Sequence, residues 1–107
     1  MDKTVKTIWI ESEDKGPIVG GQKYTDDNSD VIVTFSDDKK YVATFFTYDN
    51  VKTLTEKNKR TGELLSGKYF WASDMILVDR IDRDTIEKVV NELIKERCFN
   101  QLFRKVQ

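Results

Sequence analysis

The sequence predicts an α+β fold: a mostly antiparallel sheet of about four strands carrying a surface helix and a C-terminal amphipathic helix, in the order β-β-β-α-β-α. Three observations carry that expectation. Residues 31–35 and 41–48 are β-branched and aromatic runs on either side of the polar stretch Ser36-Asp37-Asp38-Lys39-Lys40, the pattern of an antiparallel hairpin. Met75-Ile76-Leu77-Val78 is an unbroken apolar run, as expected of a buried strand. Ile86, Val89, Val90, Leu93 and Ile94 recur on one stripe at helical spacing.

Taken in order, residues 4–11 form a first strand around Val5, Ile8, Trp9 and Ile10. Residues 12–29 read as a long loop. Gly16-Pro17 and Gly20-Gly21 mark turns in it, Asp26 to Asp30 is polar throughout, and a short irregular strand could lie near Ile18–Tyr24. In the hairpin, Val31, Val33 and Phe35 share one face. Tyr41, Ala43 and Phe45 face one way in the second arm, and Val42, Phe46 and Tyr48 the other, so that arm is expected to be central and at least partly covered on both sides. Asp49 is placed to cap a helix from about residue 50 to 60, with a thin stripe of Val51 and Leu54 and Gly62 as its stop. Residues 74–80 form a further strand, read as central because its apolar run is continuous. Asp84 followed by Glu87 resembles a capping box for the last helix. Its stripe shifts phase near Arg97 and resumes with Phe99, Leu102, Phe103 and Val106 after a kink or in a short second helix.

The 107 residues suffice for one core, and the chain reads as a single domain, 1–107. Charged residues make up 35%, but 12 aromatics supply the burial that a small core needs and argue against disorder. Formal net charge is −1, which predicts neither nucleic-acid nor membrane affinity. The distribution is less even: residues 1–50 hold ten acids and six bases, residues 51–107 nine acids and twelve bases. The N-terminus has no signal-like apolar run and no segment reaches membrane-spanning length, so a cytoplasmic protein is expected.

Few routes to chemistry are open. There is no histidine, which removes the commonest general base and the usual zinc ligands. Cys98 is the only cysteine, so no intramolecular disulfide can form; it reads as a buried structural thiol between Ile94 and Leu102. The glycines at 16, 20 and 21 lack the Gly-Lys-Ser/Thr ending of a phosphate loop. Asp26, Asn28, Asp30 and Asp37 match calcium-loop positions, but Val31 stands where the turn requires glycine. Asp79, Asp82 and Asp84 could act as paired carboxylates, yet carboxylates also favour helix N-termini, and Arg80 and Arg83 are ready partners. Arg97, Arg104 and Lys105 are too sparse for a nucleic-acid patch. The expectation is a protein without a catalytic centre, metal site or cofactor.

Tyr69-Phe70-Trp71 precedes the strand at 74–80. Core packing is the simpler use of these rings. Alternation nevertheless sets Phe70 opposite the other two, and exposure of Tyr69 and Trp71 would make them interface anchors.

Phe45-Phe46-Thr47-Tyr48, Thr61-Gly62-Glu63 and Gly67-Lys68-Tyr69-Phe70-Trp71-Ala72-Ser73-Asp74-Met75-Ile76 form a pattern that, over roughly residues 30–95, resembles small immunity proteins of bacterial toxin–immunity systems, including contact-dependent growth inhibition. The resemblance implies a protein that binds one cognate toxin domain, often a nuclease, and blocks its basic active-site cleft. Acidic residues suit such a cleft. The candidates for partner binding are Glu11, Glu13, Asp14, Tyr24, Asp26, Asp27, Asp30, Asp37 and Asp38, with Tyr69 and Trp71. The loop at 12–29 is longer than the pattern carries and is the expected place for specificity. The alternative is a non-catalytic binding or oligomeric structural module unrelated to toxins. Self-association is compatible with either.

Overall fold

In a computed structural model, which describes residues 4–15 and 25–106, the sheet has five strands. They are β1 (Val5–Ile10), β2 (Asn28–Phe35), β3 (Lys40–Thr47), β4 (Met75–Val78) and β5 (Arg104–Lys105). The order is β1-β2-β3-β4, and β5 pairs with β3. The pairs β1–β2, β2–β3 and β3–β5 are antiparallel, and β3–β4 is parallel. The helices are α1 (Tyr48–Thr61), α2 (Glu63–Gly67), α3 (Arg83–Lys95) and α4 (Phe99–Leu102), and a short 3-10 turn covers Glu11–Lys15. The α+β class, the hairpin and the C-terminal helix stand as the sequence predicts.

One face of the sheet carries the core. Ile10, Val31, Val33, Phe35, Tyr41, Ala43, Phe45, Ile76 and Val78 are buried there beneath Ile86 and Val90 of α3 and Phe99 and Phe103. Period-two alternation in the strands and 3.6-residue spacing in α3 bring both stripes to one seam. Phe35, Tyr41 and Phe99 meet edge to face with ring centroids 5.2–5.5 Å apart, and Phe99 stacks on Phe103 at 4.4 Å.

Several predicted boundaries move. β2 begins at Asn28, inside the stretch read as loop. Its polar residues tolerate the sheet because Thr44 Oγ1 donates to Asp30 at 2.8 Å and Asn28 donates to Asn50 at 2.9 Å. The cap of α1 is Thr47, not Asp49: Thr47 is extended, and its hydroxyl accepts from the Asn50 amide at 3.0 Å. Asp82, not Asp84, caps α3, accepting from the Thr85 amide at 2.8 Å. Asp84 pairs instead with Lys88 one turn on.

β4 is an edge strand rather than a central one, and Leu77 is exposed. β5 escapes the sequence pattern because two residues are too few to show alternation. Cys98 is half-buried rather than buried. Arg97 at φ 63° breaks the helix, as the phase shift predicts. Because α4 is one turn long, Phe99 and Phe103 reach the core while Leu102 and Val106 face solvent. The possible strand near Ile18–Tyr24 lies outside the described residues. No helix among the described residues is long and apolar enough to cross a membrane.

Candidate interaction surface

The segment that connects β3 to β4, residues 48–74, forms an arm unlike the rest of the molecule. α1 contributes no residue to the core; its buried residues are Asn50 and Asn58. The arm is tied to the sheet by polar bonds at its base. Thr47 and Asp27 are joined twice, the Thr47 amide donating to the Asp27 carbonyl at 3.0 Å and the Asp27 amide to Thr47 Oγ1 at 3.1 Å. Asp26 accepts from Asn50 Nδ2 at 3.0 Å and from Thr53 Oγ1 at 2.9 Å. Among the described residues no buried side-chain polar atom lacks a partner, so the network is closed.

At its far end α1 stops at Gly62, with φ 86°. Leu64, Leu65 and Ser66 then follow at φ 50°, 54° and 57°, a run of left-handed residues inside α2. Such a run costs about 1–2 kcal/mol per non-glycine residue. It reverses the chain so that Gly67 lies against α1: a Cβ on Gly67 would sit 2.8 Å from the Thr55 carbonyl oxygen. The return segment then brings Phe70 onto Phe46 with ring centroids 5.5 Å apart. Phe46 points away from the core face, so the arm crosses the second face of the sheet there.

This route leaves large side chains in solvent. Tyr48 is 59% exposed, Leu65 70%, Tyr69 49% and Trp71 62%. Phe70 is the inward ring and Tyr69 and Trp71 the outward ones, so the three rings do not all serve the core as the simpler reading has it, and alternation gives the arrangement. Tyr48 and Leu65 are not among the interface residues that the sequence offers. Tyr48 lies in an apparent strand run, and the exposure of Leu65 depends on backbone geometry that the residues do not announce.

The predicted acids divide between two ends of the sheet. Glu11, Glu13, Asp14, Asp26, Asp27 and Asp30 lie where β1 ends, β2 begins and β3 passes into α1. Glu11 accepts from the Asp30 amide at 3.3 Å, and Asp14 accepts from the Trp9 indole. Asp49, exposed in the first turn of α1, joins this end. Glu13 is committed elsewhere: Arg83 donates to its two oxygens at 2.9 and 2.8 Å, and also to Glu87 and to the Ile8 carbonyl. The Glu13 bonds, with help from Glu87, hold the Arg83 guanidinium above its ordinary pKa. Asp37 and Asp38 occupy the β2–β3 turn at the opposite end, paired with Lys39 and Lys6. The Lys6 ammonium, through its hydrogen bond, lowers the Asp38 carboxyl below its usual range. Tyr24 lies outside the described residues.

Among the described residues, no Lys or Arg forms a salt bridge with Glu11, Asp14, Asp26, Asp27, Asp30 or Asp49. Nor, among them, is any group of three or more acids, cysteines or histidines placed to hold a metal ion. Asp82, read as part of a carboxylate cluster, accepts from Thr85 and pairs with Arg80 at 2.6 Å. A shallow groove of about 460 Å³ lies between β1 and α3, braced by Arg83. The chain matches no family model, no curated protein and no solved structure.

Proposed function

We propose that this chain is a non-catalytic binding protein that neutralises a basic toxin domain by covering its active-site cleft, as the sequence pattern of immunity proteins implies. The observation that carries the reading is the acidic end of the sheet: six carboxylates with no salt-bridged cation among the described residues, beside exposed aromatic residues. Carboxylates that no lysine or arginine neutralises project a field that speeds encounter with a cationic surface. Tyr and Trp supply large contact area with few rotatable bonds, which is why they anchor interfaces. Trp9 and Tyr48 lie within the acidic end, and Tyr69 and Trp71 flank it where Phe70 meets Phe46. The partner class, a nuclease domain, follows from the resemblance alone.

Co-expression with the toxin domain encoded beside this gene tests the reading. Rescue of growth and a stable complex weakened by salt are the expected results. A toxin domain that kills equally with and without the chain, and that fails to co-purify with it, contradicts the proposal.

A further inference from the structure

The far end of the arm is exposed, strained and basic. Leu64, Leu65 and Ser66 hold φ of 50°, 54° and 57°, a conformation that non-glycine residues keep only where the surrounding structure imposes it and that gathers at ligand-binding segments. The turn leaves Leu65 70% exposed, with Thr61, Glu63 and Ser66 exposed beside it. Open space surrounds its start: a Cβ on Gly62 would meet nothing within 4 Å. Residues 52–68 hold five cations (Lys52, Lys57, Lys59, Arg60 and Lys68) against two acids, Glu56 and Glu63. Of these cations only Lys57 forms a salt bridge among the described residues, with Glu63 at 3.6 Å. The net charge of −1 for the whole chain conceals the cluster, because acids elsewhere offset it.

We propose that this tip docks on an anionic lipid bilayer, with Leu65 entering the interface and Lys59, Arg60 and Lys68 lying against the headgroups. Charge complementarity selects the occupant: a cluster of lysines and arginines is drawn to acidic headgroups, and an apolar side chain among them adds burial in the interface. A fluid interface admits a single aliphatic side chain on an exposed turn without a shaped pocket to receive it. The acidic end of the sheet does not cancel the attraction. The 14 residues of α1 span about 21 Å, about two Debye lengths at 0.1 M salt, so its field at the tip is largely screened. One apolar side chain and a few cations make the contact weak and reversible. None of the carboxylates or aromatic rings assigned to the toxin takes part, so the contact is independent of that reading. A nucleic acid is the weaker fit for the same cations, because residues 52–68 contain no aromatic ring on which a base could stack.

Co-sedimentation of the purified chain with vesicles tests the proposal. The chain is expected to bind vesicles of phosphatidylcholine containing about one third phosphatidylserine, to leave vesicles of phosphatidylcholine alone, and to dissociate as salt rises. Lys59→Glu/Arg60→Glu is expected to lower partitioning at least about 25-fold, roughly fivefold for each cation removed. Leu65→Ser is expected to lower it roughly tenfold. Lys88→Glu/Lys95→Glu on α3 changes the net charge by the same amount and is expected to leave partitioning within about twofold. Circular dichroism separates lost binding from lost fold, and the comparison of the two vesicle compositions needs no variant. A wild-type chain that stays in the supernatant with phosphatidylserine vesicles at low salt overturns the proposal, as does an equal loss in the two double variants. Salt-dependent binding of labelled single-stranded RNA without vesicle binding assigns the cations to a nucleic acid, and likewise overturns it.

Discussion

The two faces of the sheet are covered in opposite ways. On one, α3 and α4 bury Ile86, Val90, Phe99 and Phe103 against the strands, and the contact is apolar throughout. On the other, the arm of residues 48–74 is held by Thr47, Asn50, Asp26 and Asp27 and by Phe70 on Phe46, while Tyr48, Leu65, Tyr69 and Trp71 face solvent. The first arrangement gains stability from area removed from water. The second forgoes much of that gain, maintains a left-handed turn, and keeps four large side chains available for contact. The difference separates a cover that stabilises the sheet from one that, under the proposed function, is left open to a partner.

The comparison breaks most visibly on the packed side. Phe99→Ala removes a ring that touches Phe35, Tyr41 and Phe103, and is expected to cost about 3–5 kcal/mol in urea unfolding. A loss under about 1 kcal/mol would show that the helical cover is not the stabilising one.

At the base of the arm, Thr47→Val keeps the shape and removes the acceptor of the Asn50 and Asp27 amides. The expected loss is about 1–3 kcal/mol, with amide exchange in α1 rising more than in β2 and β3. Uniform exchange across both regions would mean that the arm is not separately held.

The reversal of the arm distinguishes its two glycines. Gly67→Ala drives a Cβ into the Thr55 carbonyl at φ 79° and is expected to cost about 2 kcal/mol. Gly62→Ala meets nothing within 4 Å and loses only the left-handed preference, about 1 kcal/mol. Equal losses would remove the close approach as the reason for glycine at 67.

The caps sharpen the contrast with pH. Hydrogen bonds from Thr85, then the charge of Arg80, lower the Asp82 carboxyl below its unfolded value. That stabilisation is therefore complete above the usual carboxylate pKa of about 4 and is lost as pH falls through the folded value. Asp82→Ala is expected to cost about 1 kcal/mol near neutrality, with the difference from wild type closing in acid. The neutral Thr47 hydroxyl that caps α1 has no such dependence, so the Thr47→Val penalty should persist. A Thr47→Val penalty that closed in acid in the same way would contradict the assignment.

Period and composition make the packed side legible: the hairpin, the α3 stripe and the break at Arg97 are all visible in the residues. The arm is less legible, for physical reasons. Thr47 can end a strand and begin a helix, so Asp49 looks like the better cap. Four apolar residues at 75–78 read as a central strand, because periodicity alone cannot tell which edges are paired. Leu64 to Ser66 carry no residue type that announces positive φ. The acids are visible one by one, but their division between two ends of the sheet depends on strand register, and the pairing of Glu13 with Arg83 spans most of the chain.

The claim that recognition belongs to the arm and the acidic end while stability belongs to the helical cover is tested most directly on Trp71, 62% exposed. Urea unfolding and titration against the basic toxin domain that the proposed function requires as partner, on wild type and Trp71→Ala, give both quantities from one pair of proteins. The account predicts stability within about 0.5 kcal/mol of wild type and affinity reduced roughly 30-fold. Unchanged affinity with a clear loss of stability would contradict it.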